Sequence, residues 1–227
     1  MMKDKIQIDI ISDVACPWCF VGKKNLEKAI SELDEFEVNV NWHPYQLDPT
    51  IPKEGVDRET YMVNKFGSME RYEQLAQHLK DAGKKVGINF NPMNRVPNTL
   101  SLHRLLHVAD KQGFSNELKE AFFKAYFEEE VDLTQEASLC KIMSDFGWTD
   151  AQTLEVLSDE EVGYAVKLEI NNAYNMNVAG VPYFIINNKY SLRGAQPPEV
   201  FSQALKDIGG EMRVEAQNAC DVDDPNC

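Results

Sequence analysis

Hydrophobic and polar positions alternate near both ends of the chain and recur with a helical period through its middle. Ile6, Ile8, Ile10 and Ile11 are set against Gln7 and Asp9, so residues 6–11 read as a strand. Phe36, Val38, Val40 and Trp42 alternate with Glu37, Asn39 and Asn41 and read as a second. Between them, residues 17–33 place Leu26, Ile30 and Leu33 on one helical face, and Pro17 suits a first turn, where a missing amide donor costs nothing. Strand, helix and strand at this spacing predict a βαβ unit with a parallel pair. After a turn-rich stretch from Pro44 to Pro52, residues 58–175 are mostly helical. The apolar sets are Leu75/Leu79, Leu102/Leu105/Leu106/Ala109, Leu118/Ala121/Phe122/Ala125, Leu139/Ile142/Met143/Phe146 and Val162/Val166/Ile170/Ala173. Gly83, Gly113 and Gly147 fall where these helices would end. Strand character returns at Val181–Ile186. Asn187-Asn188 is a hairpin turn tolerant of positive φ, with the return strand over residues 189–192. Pro197-Pro198 opens a last helix with Phe201, Ala204, Leu205 and Ile208 on its apolar face, and the chain past Gly209-Gly210 reads as a polar tail.

The pattern predicts an α/β protein whose two ends pair into one sheet. Residues 1–52 and 176–210 form one domain, residues 53–175 are a helical insertion, and residues 211–227 are an acidic flexible tail. A length of 227 residues and 43% hydrophobic composition suit one domain so interrupted. Acidic residues outnumber basic ones 37 to 23, for a net charge of −14. Such a surface repels phosphate backbones and anionic lipid, so neither nucleic acid nor membrane is an expected partner. The first residues lack the apolar stretch of a signal peptide, and no run approaches a membrane span, so the expected location is the cytosol. Thiols there are kept reduced, and a close cysteine pair is more often catalytic or metal-binding than a permanent staple.

Such a pair is present. The five cysteines are Cys16, Cys19, Cys140, Cys220 and Cys227. Cys140 lies within an apolar helical pattern and reads as a small core residue. Cys16-Pro17-Trp18-Cys19 stands at the expected start of the first helix, within the βαβ unit, and reads as a redox motif. Unpaired amides and the helix dipole at that position stabilise an anion, which predicts a Cys16 pKa below that of a free thiol. Cys16 is then the nucleophile and Cys19, one turn on, the resolving thiol, with substrate passing through a mixed disulfide on Cys16. Half of a zinc site is the competing reading, as is an inert reduced pair. Zinc needs four ligands, no second pair has the spacing and the histidines are scattered, so no metal is expected. Gly180-Val181-Pro182 opens the late strand. With the cysteine pair upstream, Pro182 is read as cis, leaving the Val181 backbone beside Cys16 to pair with an extended substrate.

These segments resemble the DsbA-like branch of the thioredoxin superfamily, and more narrowly the FrnE-type cytosolic dithiol–disulfide oxidoreductases. The resemblance rests on residues 13–22 around the cysteine pair, Trp42-His43-Pro44-Tyr45-Gln46-Leu47, Asn98-Thr99, His103-Arg104-Leu105, Gly180-Val181-Pro182 and Gly194-Ala195-Gln196. It implies a thioredoxin-like fold with a mixed central sheet and a large all-helical insertion, and a cis proline at Pro182. It also implies no cofactor beyond the redox-active pair, with glutathione an admissible co-substrate. Some members carry a further cysteine pair near the C-terminus, which Cys220 and Cys227 match loosely; a redox relay and an incidental tail are equal readings of these two. The chain departs from the pattern twice. Ile10 stands where related proteins often bury a proton-moving carboxylate, and Trp18 stands where the periplasmic oxidants have a histidine, so the Cys16/Cys19 disulfide is expected to be less oxidising than theirs. Asp13, three residues before Cys16, reads as a loop or cap residue.

The expected function is thiol–disulfide exchange or isomerisation on disulfide-bearing proteins or small thiols, by a monomer or homodimer. Pro17, Trp18, Phe20, Val181 and His103 are the candidate substrate-binding residues. Trp18 and Phe20 would form an apolar platform, and His103, off its helix's apolar stripe, would line a groove between insertion and sheet or serve as a satisfied structural residue. Two other functions compete: a glutathione-dependent isomerase or transferase of the kappa or chromene-carboxylate type, which usually carries serine where Cys16 stands, and a redox-inert chaperone or binding protein.

Overall fold

The computed structural model describes residues 4–220, with side chains of the last helix described as far as Arg213. Strand β1 (Asp4–Ser12) leads into helix α1 (Pro17–Ser31) and returns as β2 (Phe36–Pro44), parallel to β1 with Ile10 opposite Trp42. The predicted βαβ unit is therefore present, each strand extending about two residues past its predicted bounds. Near the other end, β5 (Tyr183–Ile186) and β6 (Tyr190–Arg193) form a hairpin whose turn residues Asn187 and Asn188 adopt φ of 50° and 55°. β5 lies antiparallel against β1, giving a mixed sheet of order β2-β1-β5-β6.

The segment between β2 and β5 holds helices α2 (Arg58–Phe66), α3 (Met69–Lys84), α4 (Leu100–Gln112), α5 (Ser115–Phe127), α6 (Glu136–Ser144), α7 (Asp150–Ser158) and α8 (Glu160–Asn175). It also holds a two-stranded ribbon of β3 (Val56–Asp57) and β4 (Arg95–Val96). Strands of two residues carry no readable alternation, so the pattern does not predict this ribbon. Leu75, assigned to an apolar face, is about half exposed; Gly83 stands in the last turn of α3, as the pattern placed it, and Phe90 packs against its bare Cα.

Helix α1 separates two cores. One of its faces, with Leu26 and Ala29, meets Ile6, Ile8 and Ile10 of β1, Phe184 and Ile186 of β5, and Phe201 and Leu205 of helix α9 (Pro198–Cys220). Another, with Cys19, Phe20 and Val21, meets Leu102, Leu105, Phe122 and Phe123 of α4 and α5. Helix α9 does not stop at Gly209-Gly210 as the pattern predicted, so residues 211–220 are helical rather than part of a flexible tail. Gly209 serves close packing: a Cβ there would run into the Phe36 ring, which the Arg213 guanidinium covers on the next turn at 5.0 Å. Cys227 lies outside the described residues, as does the side chain of Cys220, so their relay reading does too. No helix among the described residues is long and apolar enough to cross a membrane.

Candidate active site

The site is built where β1 ends. The turn Asp13–Cys16 is closed by Cys16 N–H donating to the Asp13 carbonyl at 3.1 Å, and Cys16 becomes the N-cap of α1 with Pro17 in the first turn. Its backbone is extended (φ −94°, ψ 109°), and Cys19 N–H donates to its carbonyl at 3.0 Å. Both thiols are free; Cys16 is 4% exposed and Cys19 is 1% exposed, one turn deeper. The Val181–Pro182 peptide bond is cis, and the Cys16 thiol donates to the Val181 carbonyl at 3.5 Å. Gly22, two turns into α1, lets the helix approach this segment: a Cβ there would lie 3.1 Å from the Pro182 ring and 3.3 Å from Phe184. Asn25 ties the same helix to the Gln196 carbonyl at 2.8 Å. The cysteine pair and the Gly-Val-Pro segment, 165 residues apart in sequence, thus share one corner of the fold.

The electrostatics of the pair differ from the sequence expectation. The Cys16 pKa is raised well above the usual thiol value, chiefly because the thiol is hydrogen-bonded to Cys19, and burial adds to this. The Cys19 pKa is lowered. Burial opposes the lowering, but the Cys16 thiol, the Ser12 hydroxyl and the positive charge of Lys119 together outweigh it. The pair therefore titrates as a unit, giving up its first proton readily and its second with difficulty, and the proton of the monoanion is held between the two sulfurs. The helix terminus is where the pattern placed it, but its effect on Cys16 is smaller than that of a neighbouring thiolate at close range.

Behind the pair lies a group of buried polar residues. Asp13 is 1% exposed and accepts from Leu47 N–H at 2.8 Å and Ala15 N–H at 3.3 Å. Its carboxylate lies 3.4 Å from His103 Nε2. Burial alone would raise its pKa; the bond to His103 and the backbone donor hold it below the usual carboxylate range. Asp13 is thus a buried anion as well as a turn residue. His103 donates to the Tyr45 carbonyl at 2.9 Å and is buried. His103 is thus a structural partner of Asp13 and Tyr45, and it also lines a cavity of about 490 Å³ between β2 and the insertion helices. The reading of Phe20 is corrected. It has no exposure and stacks on Phe123 with ring centroids 5.1 Å apart, so it belongs to the core and not to a surface platform. Trp18 is half-buried, its ring 5.7 Å from that of His78, and it lines a cavity of about 510 Å³ with Val21, Val86, Ala195 and Pro197. Pro17 is partly exposed on the opposite side of the cysteine turn. Cys140 is buried on α6, as its pattern indicated.

One residue escaped the sequence reading. Lys119 of α5 is 1% exposed, with its ammonium 5.3 Å from the centroid of the Trp42 ring and 5.4 Å from that of Phe123. The available signal was a lysine three, four and seven residues before Phe122, Phe123 and Tyr126, on the apolar stripe itself. Burial pushes its pKa down to about 8, against the attraction of Cys19, Asp13 and Cys16. Among the described residues no three His, Cys, Asp or Glu side chains gather as metal ligands would.

The chain is similar over 203 residues, at 27% identity, to the uncharacterized protein YwbO of Bacillus subtilis, covering 89% of this chain and 96% of that one. A crystal structure of a probable DsbA oxidoreductase from Streptomyces coelicolor matches at a TM-score of 0.84 and 31% identity, covering 91% of each chain. The cytosolic disulfide reductase DsbM from Pseudomonas aeruginosa, solved with glutathione, shares the fold at a TM-score of 0.62 and 15% identity, covering 91% of this chain and 99% of that one. The model of the DSBA-like thioredoxin domain matches residues 7–206. From the cysteine turn at the head of α1 to the proline that faces it, this chain belongs to the DSBA-like thioredoxin domain family.

Proposed function

We propose that the protein catalyses thiol–disulfide exchange, with Cys16 as the nucleophile and Cys19 as the resolving thiol. The observation that carries the reading is the 3.5 Å approach of Cys16 Sγ to the Val181 carbonyl, with the second thiol one turn beneath. A disulfide substrate meets the outer sulfur first. The negative charge of the monoanion passes to Cys16 as the shared proton moves to Cys19, and the Cys16 thiolate attacks. An extended peptide bearing that disulfide would pair with the backbone at Val181, while Trp18 and the cavity beside it take its apolar side chains. Disulfide-bearing proteins and small thiols such as glutathione are the proposed substrates and the cytosol the proposed compartment, since in a reducing compartment a close cysteine pair is more often catalytic than a permanent staple.

Reduction of insulin and refolding of a scrambled disulfide protein test the proposal. Activity in at least one assay, lost in Cys16→Ser, is expected. Activity in neither, or undiminished activity in the variant, contradicts it. A glutathione-requiring isomerisation that survives Cys19→Ser would instead support the isomerase reading.

A further inference from the structure

The cavity of about 490 Å³ that His103 borders is a different place from the redox corner. Neither cysteine lines it, nor do Trp18 and Val181. Its walls come from the end of β2 and from α4, α5 and α8. Exposed Lys111, Asn172 and Met176 stand at the rim, whereas Leu106, Lys119 and Ala173 are buried. The volume is that of a small-molecule site, in which apolar walls surround a few polar groups that fix orientation. Most of the polar groups here are already engaged. His43 is paired with Asp9 at 3.0 Å, His103 Nε2 is bonded to the Tyr45 carbonyl, and the Asp110 carboxylate accepts from the Ser115 hydroxyl at 2.8 Å.

Two groups that line the cavity are not engaged. Lys119 is 1% exposed, and its amine has only the rings of Trp42 and Phe123 beside it, at 5.3 and 5.4 Å, with no hydrogen bond or ion pair among the described residues. An ammonium carries three donors, and burying it without an acceptor is costly. A pKa of about 8 still leaves it protonated at pH 7. His107 is the second group. Its Nδ1 lies 2.9 Å from the Glu169 carboxylate. A carboxylate can only accept, so Nδ1 bears the proton, and in the neutral ring Nε2 is an acceptor. That Nε2 is buried and has no partner among the described residues. The cavity therefore offers one unpaired cation and one unpaired acceptor between apolar walls. We propose that it binds a small aromatic acid bearing a hydroxyl group, with the carboxylate on the Lys119 ammonium and the hydroxyl donating to His107 Nε2. The apolar side chains of Leu106, Ala173 and Met176 suit the hydrocarbon body, and a single ring supplies that body with few internal rotations to lose. Inorganic phosphate or sulfate would leave these walls unfilled, and a metal cation would be repelled by the ammonium.

The test is titration of the reduced full-length protein at pH 7 with 4-hydroxybenzoate and with benzoate, followed by calorimetry and by the indole N–H resonances in nitrogen-15 NMR. Those resonances are assigned from Trp18→Phe and Trp42→Phe. The Trp42 indole lines the cavity and donates to Asn116 at 3.2 Å, whereas Trp18 lies by the cysteine turn. Saturable binding of 4-hydroxybenzoate should move the Trp42 resonance and leave that of Trp18 in place. Lys119→Met should weaken binding of both acids about tenfold or more, as loss of a charge-assisted bond does. His107→Phe should spare benzoate and abolish a preference for the hydroxylated acid of about fivefold, the worth of a neutral hydrogen bond. It also serves as the deciding variant should Lys119→Met fold poorly. Cys16→Ser should bind as the parent protein does. No saturable binding at millimolar concentrations, a shift of Trp18 without one of Trp42, or affinity unchanged in Lys119→Met overturns the inference. A preference unchanged in His107→Phe overturns it as well. None of these results touches the redox reading, which the Cys16→Ser assays test separately.

Discussion

The two cores on either side of α1 are made differently. The one between α1, the sheet and α9 is aliphatic and aromatic throughout, with Ile6, Ile8, Ile10, Phe184 and Phe201 fully buried and no titratable group among its buried members. The one between α1 and the insertion contains both cysteines and is bordered by the buried ions Asp13 and Lys119 and by His103. Apolar burial stabilises in proportion to area, whereas a buried charge costs free energy unless well paired. The first core therefore supplies stability, and the second gives some of it up to hold charge near sulfur. This division places the chemistry where the insertion meets the domain, and not within the sheet.

The comparison is tested most heavily on the stabilising side. Phe201→Ala removes a ring packed against Phe184 at 4.8 Å between centroids and should cost about 3–5 kcal/mol, read from urea denaturation. The reduction potential of the Cys16/Cys19 couple should stay unchanged in that variant; a shifted potential would show that the cores are not separable.

On the other side, Lys119→Met should stabilise the fold. The pKa of Lys119 falls from 10.5 to about 8 on folding, so between these values the unfolded chain holds a proton that the native state has released. Stability contributed through this group therefore rises with pH across that window. The variant should be more stable than the parent below pH 8, by on the order of 3 kcal/mol, and the gap should close toward pH 10.5. A gap that does not change with pH would mean that packing and not charge sets the difference.

Gly22→Ala is the mildest change and bears on the seam between the cores. The gain in helix propensity, about 1 kcal/mol, should largely offset the crowding against Pro182 and Phe184. Stability should be nearly unchanged, while insulin turnover falls about tenfold as the Val181–Pro182 segment shifts from the Cys16 sulfur. Full turnover would show that the segment has room to spare.

Much of this was legible in the sequence. The alternation of the isoleucines in β1 and of Phe36 to Trp42 in β2 gave the parallel pair, because one buried face demands it. Asn187-Asn188 gave the hairpin, because its backbone needs positive φ. The cysteine turn and the Gly-Val-Pro segment each carried a local chemical signal. What was not legible depended on contacts across the chain. Gly209 read as a helix end because nothing local reveals Phe36 lying against it. Phe20 read as surface because its neighbours Phe123 and Phe90 lie in the insertion. The titration of Cys16 turned on burial and on the geometry of Cys19, and that of Cys19 on Cys16, Ser12 and Lys119, which spacing alone does not set, and Lys119 itself was read through as one charge in an apolar helix.

The central claim, that substrate passes through a covalent bond to the outer sulfur, is tested most directly by removing the inner one. In Cys19→Ser, incubation with a disulfide-bearing peptide should trap a mixed disulfide, and peptide mass spectrometry should place it on Cys16. An adduct found elsewhere, or none at all while the parent protein still turns substrate over, would contradict the account.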